Sequence, residues 1–218
     1  MESRRPFDRP GRLPAQPIGE VTKAQDPLLV VLTGPSGAGK DSVLARLKAQ
    51  DPSSYVVANV TTRPPRAGEQ EGVDYHFVSN AEFERLRRDG ELLEHAVVYG
   101  QDKGVPRAPI RHALVSGRDV LLRTDVQGAR TIKRLVPGAT TIFVSAPSEA
   151  ELRRRVRERG SDTQEQVTVR EETATQEMAS AAEFDYRVVN DSLEECANEI
   201  RRIMSEERSR PDRNEIVV

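Results

Sequence analysis

This chain of 218 residues has a single cysteine, no apolar run approaching the length of a membrane span, and no excess of either charge. One cysteine cannot close an internal disulfide, and Cys196, set in Leu193-Glu194-Glu195-Cys196-Ala197, has the surroundings of a helix-packing residue rather than a nucleophile. A reducing, cytoplasmic setting is therefore expected. The missing long apolar run argues against a membrane helix, and the N-terminus lacks the apolar centre of a secretory signal. With 33 Lys plus Arg against 35 Asp plus Glu, nothing draws the whole chain toward nucleic acid or an anionic membrane, so any basic site must be local. There is no internal repeat, and none of the three histidines, His76, His95 and His112, sits in a motif that demands a general base.

What is present is concentrated at Gly34-Pro35-Ser36-Gly37-Ala38-Gly39-Lys40-Asp41-Ser42. The apolar run Leu28 to Leu32 precedes it and an amphipathic stretch follows, so the order is strand, glycine loop, helix. Glycines let the backbone turn tightly and aim successive N–H groups inward, while the helix turns its positive end to the same point. Polyphosphate is the natural occupant, and Lys40 adds a point charge able to reach its outer phosphates. The strict pattern has Ser or Thr directly after the lysine as a magnesium ligand; here Asp41 comes first and Ser42 second. Asp41 can act through a metal-bound water or simply as an anion favouring the helix N-terminus.

Beyond the loop, short apolar runs alternate with helical patterns, which predicts an α/β fold with a mostly parallel sheet flanked by helices. Strands are expected at Tyr55 to Val60, Asp119 to Thr124, Thr140 to Ala146 and Tyr186 to Asn190. Helix starts are marked by Ser79 to Glu82, Ser148 to Glu151 and Thr163 to Gln166, and stops by Gly90, Gly117 and Gly160. Between Thr61 and Gly104 a Pro/Arg/Gly loop, Tyr75-His76-Phe77-Val78, a short helix and Leu92 to Tyr99 predict a small inserted lobe with its own strands. Residues 1–26, rich in Arg and Pro, and residues 208–218 are expected to be flexible tails flanking a domain at 27–207.

At Thr61-Thr62-Arg63-Pro64-Pro65-Arg66-Ala67-Gly68-Glu69, continuing through Gly72-Val73-Asp74-Tyr75, the chain resembles guanylate kinases. The similarity continues through Glu91-Leu92-Leu93-Glu94, Asp125-Val126-Gln127-Gly128, Arg159-Gly160 and Val189-Asn190-Asp191, covering about Pro27 to Glu206. The resemblance implies a P-loop NTPase core, a GMP-binding lobe at about 59–105, a helical lid at about 148–181, and ATP, taken with Mg2+, and GMP as substrates. It implies that Gly34 to Ser42 and Asn190 serve ATP, and that Asn59, Arg63, Arg66, Tyr75, Glu94, Lys103 and Asp125 serve GMP. Lys40, Arg66 and the lid residues Arg155, Arg159 and Arg170 would then neutralise charge during transfer.

The residue chemistry agrees with these roles. Arg63 and Arg66 flank a stiff Pro-Pro pair and can aim two guanidinium forks at one phosphate, or form a solvated basic loop; Tyr75 can add a hydroxyl. An ionised Glu94 accepts two hydrogen bonds from guanine's ring N–H and amino group, a donor pair that adenine does not offer. Asp125 serves either as a second guanine-side carboxylate or as the cap of the following helix. Of the five arginines Arg153, Arg154, Arg155, Arg157 and Arg159 on one short helix, several are expected to be solvated. Asn190 has the alternative of a plain turn residue.

Several residues depart from the usual family pattern: Lys103 stands for a phosphate-binding Tyr, Val105 for a base-contacting Ser or Thr, Asn59 for a Ser, and Arg123 for the first Asp of L-D-x-D, which usually serves the metal region. How the metal is held is left open. Two other readings stay open. A ribose-bisphosphate kinase shares the Gly-Lys-Asp-Ser loop but has no reason to keep Glu94 and the Thr61 to Tyr75 motif. A silent interaction module with this fold would not need Lys40 and the lid arginines.

Overall fold

The computed structural model describes residues 26–98, 100–158, 173–174 and 176–218. Its centre is a parallel sheet of β1 (Leu29–Thr33), β2 (Tyr55–Val56), β7 (Val120–Arg123), β8 (Thr140–Ser145) and β9 (Tyr186–Val189) in the order β2-β7-β1-β8-β9. Every pairing in it is parallel, so each strand returns through a crossover, and helices cover both faces. The alternation along β1 makes this concrete. Val30 and Leu32 face a core layer with α1 (Lys40–Gln50) and α6 (Leu193–Ser209), while Leu29 and Val31 face the opposite layer with α3 (Arg107–Val115) and α4 (Val126–Leu135). Cys196 is buried in the first of these layers, a packing residue of α6.

A second sheet has the order β4-β3-β6-β5, from β3 (Asn59–Thr61), β4 (Tyr75–Phe77), β5 (Leu92–Val98) and β6 (Gln101–Pro106). With α2 (Asn80–Arg88) it encloses a small core of Val60, Phe83, Leu86 and Leu92. This is an inserted lobe with strands of its own, and the α/β class and parallel sheet are as expected. Ser79 Oγ accepts from Glu82 N at the start of α2, and Ser148 Oγ from Glu151 N at α5 (Glu149–Glu158), as the spacing predicts. The Thr163 to Gln166 start and the Gly160 stop lie outside the described residues, as do residues 1–25 of the tail expected at 1–26.

Two expectations are corrected. The strand expected over Tyr55 to Val60 is two strands in different sheets: β2 pairs with β7, Val57 N donates to the Leu121 carbonyl, and after Ala58 the chain leaves for β3 in the lobe. An unbroken apolar run does not register such a change of sheet, because both stretches are buried. The flexible tail expected at 208–218 is instead packed. Ile216 and Val218 lie against the α3/α4 core layer, and Arg213 donates to the carbonyls of Asp26 and Pro27.

Candidate active site

Gly34 leaves β1 with φ +128, and a Cβ there would lie 2.1 Å from the carbonyl oxygen of Val144 in β8. Only glycine lets the chain turn against the neighbouring strand, and this turn directs the loop across the end of the sheet. We expect Gly34→Ala to cost roughly 3 kcal/mol of stability. For a chain of this size that is a fall of about 6–12 °C in melting temperature, measurable by calorimetry; an unchanged melting temperature would refute the packing just described. Behind the loop, Asn190 Nδ2 donates to the carbonyl of Ala38 at 2.8 Å, so this residue supports the loop from its buried side. Lys40 Nζ lies over the loop, donating to the carbonyls of Gly34 and Pro35 at 2.5 and 3.0 Å.

The loop forms one wall of a 610 Å³ cavity whose other wall is the small lobe. Of the expected residues, Gly34, Ser36, Gly37, Gly39, Lys40 and Asp41 line it from the loop side. Asn59, Arg63, Arg66, Tyr75, Glu94, Lys103 and Asp125 line it from the lobe side or the end of β7. Pro35 and Ala38 are buried behind the loop, and Ser42 is exposed on α1 outside the lining. Arg155 is not brought to the cavity: its guanidinium donates to Glu151 Oε1 at 2.7 Å and to the Asn190 carbonyl at 3.0 Å. Arg159 and Arg170 lie outside the described residues.

Within the lobe, the two-fork expectation is altered. Arg63 is 7% exposed and its fork is closed on the Glu69 carboxylate at 2.6 and 2.5 Å, while the backbone N–H of Arg66 donates to the same carboxylate at 2.7 Å. Glu69 therefore fixes the Pro-Pro loop, and Arg63 lies 4.8 Å from the centroid of the Tyr75 ring. Nothing in the spacing alone distinguishes an arginine that faces an anion from one that holds its own loop.

Glu94 is 5% exposed and stands opposite Val105 across the β5–β6 ladder. Burial, aided by the negative charge of Asp125, pushes its carboxyl up to about 8. Gly128 packs against it: a Cβ there would lie 3.0 Å from Glu94 Oε2 and 2.1 Å from Thr124 Oγ1. Asp125 caps α4 by accepting from Gly128 N at 2.8 Å, and it also lines the cavity beside Glu94. Asn59 donates through Nδ2 to the Arg123 carbonyl at 2.7 Å, and its buried Oδ1 has no partner among the described residues.

Two charged lining residues lie outside the expected set and stand close to the phosphate loop. Glu177 accepts from the Ser36 backbone N–H at the phosphate loop; burial is the main cause of its raised pKa, opposed by the nearby Lys40. Its sequence surroundings carry no motif that would have selected it. Arg123, noted only as a departure from pattern, pairs with Asp41. Asp41 is thus an ion-pair partner, and the described residues contain no group of three or more His, Cys, Asp or Glu able to hold a metal.

A phosphate loop faces a lobe that carries a buried carboxylate and several arginines, and known proteins match the chain across both parts. A family model described as guanylate kinase matches residues 27–207. The chain belongs to the guanylate kinase family. It is 45% identical over 176 residues to a guanylate kinase of Synechococcus sp., covering 81% of each chain. It is 46% identical over 185 residues to one from Thermus thermophilus, covering 85% of this chain and 84% of the relative. The crystal structure of guanylate kinase from Anaplasma phagocytophilum superposes with a TM-score of 0.74 at 33% identity, covering 87% of this chain and 90% of that one.

Proposed function

We propose that this enzyme transfers the γ-phosphate of ATP to GMP, giving ADP and GDP. The observation that carries the reading is one cavity with a phosphate loop on one wall and the buried Glu94 on the other. The sequence identity with the bacterial relatives supports the same substrates.

ATP enters as its magnesium complex. The ion would supply positive charge at the phosphates, and Asp41, paired with Arg123 beside the loop, is a carboxylate that would reach it through a water. The loop N–H groups and Lys40 hold the triphosphate. Arg66, Tyr75 and Lys103 take the GMP phosphate, with Arg63, packed against the Tyr75 ring, adding charge on the same wall. Glu94, once ionised, receives guanine's N–H and amino donors, and the unpartnered Asn59 Oδ1 offers a further acceptor. A phosphate oxygen of GMP attacks the γ phosphorus in line, and the β–γ bridging oxygen leaves with ADP. The acceptor is already ionised, so no general base is required; alignment and charge neutralisation supply the rate.

The test is ADP release from ATP and magnesium with GMP, AMP or ribose 1,5-bisphosphate supplied in parallel. Activity is expected with GMP and a small fraction of it with the other two. Preference for the sugar bisphosphate would mean a ribose-bisphosphate kinase, and no turnover by folded protein would mean an interaction module.

A further inference from the structure

Arg123 closes β7 in the parallel sheet, yet its contacts reach to both walls of the cavity. Its carbonyl accepts from Asn59 Nδ2 at 2.7 Å, its Nη2 donates to the Asp74 carbonyl at 2.9 Å, and its guanidinium carbon lies 4.8 Å from the Tyr75 ring centroid. All three are partners in the small lobe. The same guanidinium forms an ion pair through Nε with the Asp41 carboxylate, one residue beyond Lys40 in the first turn of α1. Among the described residues the two sheets share no strand pairing, and at the cavity this connection runs through side chains.

We propose that Arg123 is a positioning residue that couples the two nucleotide sites, so that filling the GMP side improves the fit of the ATP side and the reverse. The inference rests on the substrate assignment above. Arg123 is a fixed cation that is only 9% exposed, and a buried charge holds its partners because losing either leaves it uncompensated. Any shift of Asp74 and Tyr75 when a phosphate settles in the lobe is therefore passed to Asp41, and with it to Lys40. The reverse path is the same set of contacts, as thermodynamic linkage requires. The two departures noted in the sequence, a carboxylate after the lysine and an arginine at the end of β7, meet in this one ion pair. Asp41 is about half exposed, so its substitution opens no cavity, and the melting temperature is measured alongside to show that the fold survives loss of the pair.

The experiment is calorimetric titration of the full chain with the β,γ-imido analogue of ATP plus magnesium, with and without saturating GMP, and the reciprocal titration with GMP. For the unaltered protein each ligand is expected to tighten the other by a common factor, roughly 5–150-fold. In Arg123→Met that factor should fall to within about twofold of unity, while the affinity for each nucleotide alone stays within about threefold. Asp41→Asn should lower the factor to a similar level, and adding Arg123→Met to it should change it little further, the signature of a shared interaction. Coupling that survives in Arg123→Met, or that is absent from the unaltered protein while both nucleotides bind, overturns the proposal alone. Loss of each single-ligand affinity in Arg123→Met also overturns it, since the arginine would then be a ligand contact or a scaffold residue. Failure of the unaltered protein to bind GMP at all would remove the substrate assignment and the coupling together.

Discussion

Glu94→Gln is expected to reduce kcat/KM for GMP by roughly 10²–10⁴-fold while leaving the affinity for ATP nearly unchanged. Two charge-assisted hydrogen bonds are lost, each about 1.5–3 kcal/mol, and every 1.4 kcal/mol is about a factor of ten. The replacement amide also turns a donor toward guanine's donors, so a substrate shaped for the carboxylate meets an unpaired buried group. The same residue imposes a pH dependence. Burial and the nearby Asp125 hold the Glu94 carboxyl at about 8, so at neutral pH in the free enzyme it is largely protonated. Guanine needs the ionised form, and GMP binding therefore releases a proton below that value. KM for GMP should fall about tenfold per pH unit from about pH 6 up to about pH 8 and then level off. In Glu94→Gln that slope should vanish. Steady-state KM values for GMP at saturating ATP across this range decide it. A flat profile in the unaltered enzyme, or equal losses toward ATP and GMP in the variant, would contradict the base-reading role.

Lys40→Met should act on the other side of the reaction. Lys40 Nζ reaches the carbonyls of Gly34 and Pro35 at the turn that receives the outer phosphates, which sets its charge directly on that loop. Because phosphoryl transfer depends on neutralising charge on the migrating group, removal of a cation there is expected to lower kcat by roughly 10³-fold. KM for GMP should change by less than about threefold, since Glu94 and the lobe are untouched. Single-turnover kinetics with the melting temperature measured alongside would show it. A variant that keeps kcat but loses GMP affinity would place Lys40 in the wrong half of the cavity.

The phosphate loop was legible because its requirements are local. Glycines, a preceding apolar strand and a following helix are adjacent in sequence, and the physics that shapes the loop acts between neighbours. The core strands were legible for a related reason: β1 carries Leu-Val-Val-Leu and β8 carries Ile-Phe-Val, apolar stretches buried on both faces. The lobe was harder. β6 reads Gln-Asp-Lys-Gly-Val-Pro, a polar segment with no strand pattern, and it becomes a strand only because β3 and β5 pair with its two edges. The pairing of Arg63 with Glu69 was equally hidden, since two residues of opposite charge in a proline-stiffened loop do not announce whether they face each other or a ligand. Arg123 and Asp41 lie far apart in sequence and only the fold brings them into contact. The packed C-terminus shows the same limit. Its charged composition suggests a free tail, but Gly138 lies so close to the carbonyls of Asn214 and Glu215 that the segment has a fitted seat.

The central claim, that one cavity brings the γ-phosphate of ATP to the phosphate of GMP, is tested most directly by following the phosphorus itself. Purified protein given magnesium, ATP labelled at the γ position and GMP should place the label on the β-phosphate of GDP, with little free inorganic phosphate. Label that appears only as inorganic phosphate, or that passes to AMP as readily as to GMP, would contradict the account.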